Sequence, residues 1–416
     1  MKLAFQNQPL RYAIAQLCSK FDVLRAEVKE LSANVKLPTI VTIWFIWLVL
    51  IHLFPLFFSD KFPVNTPEGK QSLWPYYMEA IQTSLSRWDS RWFHEVVEIG
   101  YYYRGTNAEA SIRFYPMYPL MIRFLKFLFP INTFQAGTAI SAISTFLVLV
   151  LLGKSAKDQN DSKAILPSIS ALLWFPSAFV LATVYSESTT LFFFLTATRL
   201  AKSKKYVFAG LAAFAAALSR INGFLILLPL LVVAVTDLRK RWTWRPVLML
   251  FIGGVGVLAF PCYLWMKFGD PFLYFRIHTS SWTQTPQPFY SFLKEVFLGS
   301  ISALVDRRVP TFVDSTGFNM FPVNLCTLVL MFWTLRRCYI KQRWDDAALM
   351  AGGCLLAASA GNLLSLTRLA IVYYPIPLRL GEVLRENETV RFLLPFVFLF
   401  IQIILLTLFV RWHFIF

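Results

Sequence analysis

The chain has 416 residues, of which 57% are hydrophobic, 17% aromatic and only 15% charged. Soluble domains carry roughly 25% charged residues, so a water-soluble globular fold is excluded and a chain that crosses a membrane many times is implied. The net charge of +17 comes from Lys and Arg set between apolar runs, where topology anchors and contacts to anionic membrane lipids belong; with no nucleic-acid-binding motif beside them, a nucleic-acid partner is excluded too.

Residues 1–37 are polar, lack the three-part layout of a secretory signal, and read as a cytoplasmic N-terminal segment. One integral membrane domain is expected over 38–416. Its first span, 38–58, is followed by a long mixed segment, 59–133. Further apolar runs lie near 134–153, 164–184, 188–202, 206–219, 221–236, 247–266, 320–336, 347–364, 369–381 and 391–410. That gives about eleven spans, several short enough to be re-entrant. The fold class is therefore an all-α polytopic membrane protein. The five cysteines, Cys18, Cys262, Cys326, Cys338 and Cys354, show no paired or metal-type spacing, so no disulfide framework and no zinc site are expected.

Loop charge sets the expected orientation. With the N-terminus in the cytoplasm and the spans alternating, the inside loops receive GKSAKDQNDSK, KSKK, TDLRKRWTWR and RRCYIKQRW, as the positive-inside rule asks. The outside then receives YSES, SRIN and SLTR, with the two long connections 59–133 and 267–319. Most of the unusual polar groups thus gather on one face, and ionisable groups at membrane depth usually line a site or cavity. An extracytosolic site follows from the topology alone. A transporter of lipid-linked saccharides, the main rival, would be expected to carry charge near the bilayer midplane.

The densest polar stretch is SLSRWDSRWFHEVVEIGY, residues 84–101. On a helix, Trp88, Trp92, Val96 and Ile99 form one stripe, as in an interfacial amphipathic helix anchored by Trp. Asp89 has two readings. Ser86 and Asp89 have capping-box spacing; alternatively Asp89 is an ionised carboxylate, favoured by the helix dipole and by Arg87 and Arg91, able to take a proton from a hydroxyl nucleophile. In RFYPMYPLMIRFLKFLFP, residues 113–130, Arg123 and Lys126 share a face of a second interfacial helix and are expected to attract lipid phosphate. Glu187 in YSES is either a turn residue or a second site group. Arg220 and Arg368 either snorkel to head groups or offer planar donor forks to phosphate. Lys267, Asp270, Arg276, His278 and Trp282 form another outer polar cluster, in which Gly269-Asp270-Pro271 is turn chemistry first.

The order RWDS, GYYY, RFYPMYP, FPSAFVLATVYSES, GLAAFAAALSRINGF, GDPFLYF and SLTRLAIVYYPI resembles the PIG-V family of membrane mannosyltransferases, within the GT-C class of polyprenol-dependent glycosyltransferases. The resemblance covers about residues 86–380. It implies a GT-C-like fold, a polyprenyl-phosphate sugar donor, typically mannose, and transfer to a lipid or glycan acceptor on the extracytosolic side with inversion. It implies Asp89 as the catalytic base, with Glu187 as a second catalytic candidate. Arg87, Trp88, His94, Glu95, Tyr115, Tyr185, Arg220, Arg276 and Arg368 are the substrate-binding candidates. A monophosphate donor has no diphosphate to clamp, so no metal cofactor is expected. The run RWFHE, residues 91–95, is more charged than the family's usual sequence there. The compact chain favours a bacterial inner-membrane protein; a eukaryotic one would belong to the endoplasmic reticulum.

Overall fold

The computed structural model describes residues 35–58, 74–103, 111–159, 162–281, 320–359, 363 and 365–411. The expected cytoplasmic segment before residue 35, the parts of the two long loops at 59–73, 104–110 and 282–319 with Trp282, and the side chain of His278 lie outside the described residues. Every regular element among the described residues is helical.

The first span is α1 (Leu37–Leu53), continued by the short α2 (Pro55–Phe58). The first long loop carries α3 (Trp74–Leu85), α4 (Asp89–Glu98) and, after a 3-10 turn at Ser111–Arg113, α5 (Met117–Leu128). Then come α6 (Thr133–Gln159), α7 (Ile165–Leu173), α8 (Glu187–Lys202), α9 (Tyr206–Ala217), α10 (Leu227–Lys240) and α11 (Arg245–Phe268). The rest are α12 (Leu273–Ser281), α13 (Phe321–Ile340), α14 (Trp344–Ser359), α15 (Leu366–Ala370), α16 (Pro375–Glu386) and α17 (Glu388–Val410).

A bilayer's hydrocarbon core needs about 20 apolar helical residues. Among the described residues six stretches meet this by length and composition: Leu37–Phe58, Thr133–Gln159, Ile221–Lys240, Arg245–Phe268, Phe321–Ile340 and Glu388–Val410. The chain is thus an all-helical, multi-span integral membrane protein. Large side chains such as Phe45, Leu50, Phe251, Leu258 and Phe400 stand exposed on these helices, as lipid-facing residues do. Small residues let α9 and α11 close up, as in other membrane helix pairs; a Cβ on Gly256 would lie 2.6 Å from the Phe214 Cα.

Among the described residues, five of the expected spans, 164–184, 188–202, 206–219, 347–364 and 369–381, fall short of that length, and two of them are broken or buried. The run 164–184 breaks after α7, because Pro176 lacks a backbone donor and clashes with the preceding turn; the chain resumes as a short 3-10 helix, Ala178–Ala182. The run 369–381 is no span. Its apolar start ends at Tyr373-Tyr374, and Pro375 opens α16, a buried helix that carries Arg379 and Glu382 with no exposed surface.

Those two residues seed an ion cluster at one end of the molecule. Arg379 pairs with Glu382 and with the Gln159 side chain, and lies 3.9 Å from Asp346. Lys341 is 3.0 Å from Glu382, and Arg343 donates to the Gln159 carbonyl at 2.8 Å. Lys202, at the end of α8, pairs with Asp345 at 2.5 Å. The ends of α6, α8, α13 and α14 are thereby tied to α16. Removing one partner of a buried ion pair strands the other charge. Arg379→Met is therefore expected to destabilise the protein by about 3–5 kcal/mol, read by thermal unfolding in detergent, with partial recovery in Arg379→Met/Glu382→Leu.

Candidate active site

The other end of α8 begins with Glu187. Its 16 residues set Glu187 and Lys202 about 22 Å apart at 1.5 Å per residue, so a second charged group lies across the membrane-facing body from the first. It is built from four separate places in the chain.

Asp89 opens α4. Trp88 before it has φ 53° and ψ −113°, a positive φ that non-glycine residues rarely adopt and that costs energy unless the surroundings enforce it. The capping box expected from Ser86 and Asp89 does not form: the helix starts at Asp89 itself, with no side-chain cap. Ser90 fixes this start by donating to the Val184 carbonyl at 3.1 Å. The buried face of α4 is Ser90, Phe93, Val96 and Val97, not the expected Trp88, Trp92, Val96 and Ile99 stripe. Ile99 is 74% exposed, and Trp92 stacks on Phe114 with centroids 6.0 Å apart.

Arg368, from α15, donates from Nη1 to Asp89 Oδ2 at 2.6 Å, and its Nε lies 3.3 Å from Glu187 Oε1. Arg220, between α9 and α10, approaches the same Oε1 at 2.6 Å and reaches the Ser186 hydroxyl at 3.3 Å. The result is a continuous chain: Asp89, Arg368, Glu187, Arg220. Glu187 is fully buried, while Asp89 retains 23% of its side-chain exposure. Glu187 therefore acts as the anchor and Asp89 as the accessible end. Tyr185 is buried under Arg368, whose guanidinium carbon sits 5.4 Å from the ring centre. Its hydroxyl donates to the Arg87 carbonyl at 3.2 Å. Tyr185 is thus a support for Arg368 rather than an open contact surface. Two carboxylates meet two guanidiniums, so the quartet is electrically balanced.

Other expected site residues stand elsewhere. Arg87 is buried and donates to the Val410 carbonyl at the end of α17 at 3.0 Å. Arg91 pairs with Glu95 at 3.0 Å on the outer side of α4, and Tyr102 donates to Glu95 as well. His94 is exposed on that side, and Trp88 packs half-buried against the main core. Arg276 is 67% exposed and paired with Asp270, which also accepts from the Phe272 amide at 3.0 Å as a turn residue does. Lys126 pairs with Glu98 and donates to the Thr133 hydroxyl at 2.9 Å.

Tyr115 does join the neighbourhood. Its ring packs on Phe260 and Tyr274, with centroids 4.8 and 5.4 Å away. Two neighbours escaped sequence reading. Arg113, held by the 3-10 turn before Tyr115, is near enough to feel the charge of Asp89; burial lowers its pKa from the ordinary value, against the raising effect of Tyr274 and Asp89. Tyr274 is buried beside Arg113 and Arg220. Arg113 was within a conspicuous motif, but only the position of the turn reveals its direction.

A cavity of about 480 Å³ lies alongside, between α4, α5 and α11. It is lined by Leu120, Leu218, Ala259 and Phe260 among others, and by Arg123 and Lys267; no quartet member lines it. Among the described residues no group of three His, Cys, Asp or Glu side chains is arranged to hold a metal ion.

No family model matches the sequence, and no curated protein matches it. Among solved structures the chain is similar to the crystal structure of ArnT from Cupriavidus metallidurans bound to undecaprenyl phosphate, with 16% identity and a TM-score of 0.46. The match covers 83% of this chain and 60% of that one, so it spans less than two thirds of the ArnT chain. The resemblance to PIG-V mannosyltransferases rests on its sequence motifs.

Proposed function

We propose that this protein is an integral membrane glycosyltransferase of the GT-C type. In this reading it moves a hexose, mannose by the PIG-V resemblance, from a polyprenyl-phosphate donor to a lipid-linked or glycan acceptor. The reaction faces the extracytosolic side of a bacterial inner membrane. The observation that carries the reading is the quartet: an accessible carboxylate held by a guanidinium that is itself anchored on a buried glutamate.

Asp89 is the general base. Arg368 occupies Oδ2 and fixes the plane of the carboxylate, which leaves Oδ1 to accept the proton of the acceptor hydroxyl. The acceptor oxygen bonds to the anomeric carbon as the bond from that carbon to the phosphate oxygen breaks. The electron pair leaves on the lipid phosphate. One displacement inverts the anomeric configuration. Glu187 and Arg220 keep Arg368 in place, so that the base is oriented before the substrates arrive.

Arg368 reaches its two carboxylates with two different nitrogens, a fork that a single ammonium does not reproduce. Arg368→Lys is expected to keep the fold and to lower the rate of transfer at saturating donor by at least about tenfold, the factor for 1.4 kcal/mol of lost orientation. Equal turnover in Arg368→Lys would remove Arg368 from this role.

The overall reading is tested with purified protein in sealed vesicles supplied with radiolabelled polyprenyl-phosphate hexoses and an extract of membrane lipids. The expected result is label in a new covalent product. Label that crosses the bilayer on its unchanged carrier, with no product formed, would instead make the protein a transporter.

A further inference from the structure

The cavity between α4, α5 and α11 carries charge that the quartet does not. Lys267, in the last turn of α11, turns its Nζ back to the Tyr101 carbonyl at 2.7 Å. Arg123 donates from Nε to the Val97 carbonyl at 2.6 Å and from Nη2 to the Val96 carbonyl at 2.8 Å. Both partners are neutral carbonyls. Among the described residues neither cation has a carboxylate within ion-pair distance, whereas Arg220 is matched by one and Arg368 by two. The cavity therefore pairs an apolar interior with two cations that have no carboxylate partner among the described residues. That combination suits a hydrocarbon chain ending in an anion.

The cavity stands apart from the base, on the same helix. Val96, on its wall, is seven residues beyond Asp89 on α4, about 10 Å along the helix. A row of rings bridges the interval. Tyr101 packs on Phe260 at 5.4 Å, Phe260 on Tyr115 at 4.8 Å, and Tyr115 on Tyr274 at 5.4 Å, where Tyr274 is near enough to feel the charge of Arg220. A sugar joined to a phosphate at the cavity would meet these aromatic faces, its anomeric carbon one oxygen from the phosphorus.

We infer that this cavity binds the isoprenoid end of a polyprenyl phosphate, with the phosphate against Lys267 and Arg123. The lipid's identity rests on the glycosyltransferase reading; the location rests on the cavity and its two cations. Lys267 and Arg123, not Arg220 and Arg368, then hold the phosphate before it advances toward Asp89. The quartet is left to orient the base.

The test is binding to the detergent-purified full chain, by native mass spectrometry, with farnesyl phosphate, farnesol and inorganic phosphate as separate probes. Lys267 is exposed, so Lys267→Met leaves the core intact. It is expected to weaken farnesyl phosphate about tenfold, as loss of one charged hydrogen bond does, and to leave farnesol unchanged. Leu120→Trp, which fills the cavity, is expected to weaken both lipids. Inorganic phosphate is expected to bind far more weakly than farnesyl phosphate, and phosphatidylglycerol to compete poorly. Wild-type binding of farnesyl phosphate by both variants would overturn the assignment. So would equal competition by phosphatidylglycerol, or inorganic phosphate binding as tightly as the lipid. If sugar transfer is meanwhile observed, the glycosyltransferase reading survives that failure; if transfer is absent while farnesyl phosphate binds through Lys267, that reading fails and the lipid-phosphate site stands.

Discussion

Glu187→Ala is expected to cost the protein about 3–5 kcal/mol of stability, the range for breaking a buried ion pair, and to abolish sugar transfer with it. Glu187 has no exposed surface and is approached by Arg220 at 2.6 Å and by Arg368 at 3.3 Å. Without it Arg220 loses its carboxylate partner and Arg368 one of two, in a region that water reaches poorly. Arg368 keeps Asp89 as its remaining carboxylate, and Arg220 keeps only the Ser186 hydroxyl among the partners described above. Thermal unfolding in detergent reads the loss of stability. Glu187→Gln separates the two effects, because it preserves shape and an accepting oxygen while removing the charge. It is expected to lie between wild type and Glu187→Ala in stability, yet to be strongly impaired in transfer, since Arg368, which orients Asp89, loses one of its two anchoring charges. A Glu187→Gln protein with wild-type turnover would show that the glutamate serves the fold alone.

The four members of the quartet were legible because each is an ionisable group at the edge of an apolar run, where such groups are costly and need a reason. The alternation of loop charge also grouped them correctly: YSES, SRIN and SLTR meet through Glu187, Arg220 and Arg368, while KSKK and RRCYIKQRW reach the cluster at the far end through Lys202 and Lys341. The pairing itself was not legible. Arg368 and Asp89 are 279 positions apart, and no local pattern links them. The bond from Arg87 to the Val410 carbonyl was not legible, nor was the positive φ at Trp88, since Trp carries no signal for that conformation as Gly would. The run at 369–381 looked like a span because its first half is apolar; the i, i+3 spacing of Arg379 and Glu382 was the available sign that α16 is a buried, ion-paired helix instead. The cations of the cavity were visible as residues, but whether each finds a carboxylate or a carbonyl is decided only by packing.

Asp89→Asn is the second large effect, and it bears on the chemistry alone. The side chain is partly exposed and bound through one oxygen to Arg368. Asparagine has nearly the same shape and still offers that guanidinium an acceptor, so folding and Arg368 are expected to stay in place. What disappears is the capacity to take a proton. General-base catalysis contributes about 10²–10⁴-fold, and transfer is expected to fall by that factor. The decisive measurement is single-turnover transfer of radiolabelled hexose from its polyprenyl-phosphate donor by wild type and Asp89→Asn, at matched donor occupancy and matched thermal stability. A fall of about 10²–10⁴-fold with donor binding unchanged is the predicted result; transfer by Asp89→Asn at close to the wild-type rate would contradict it.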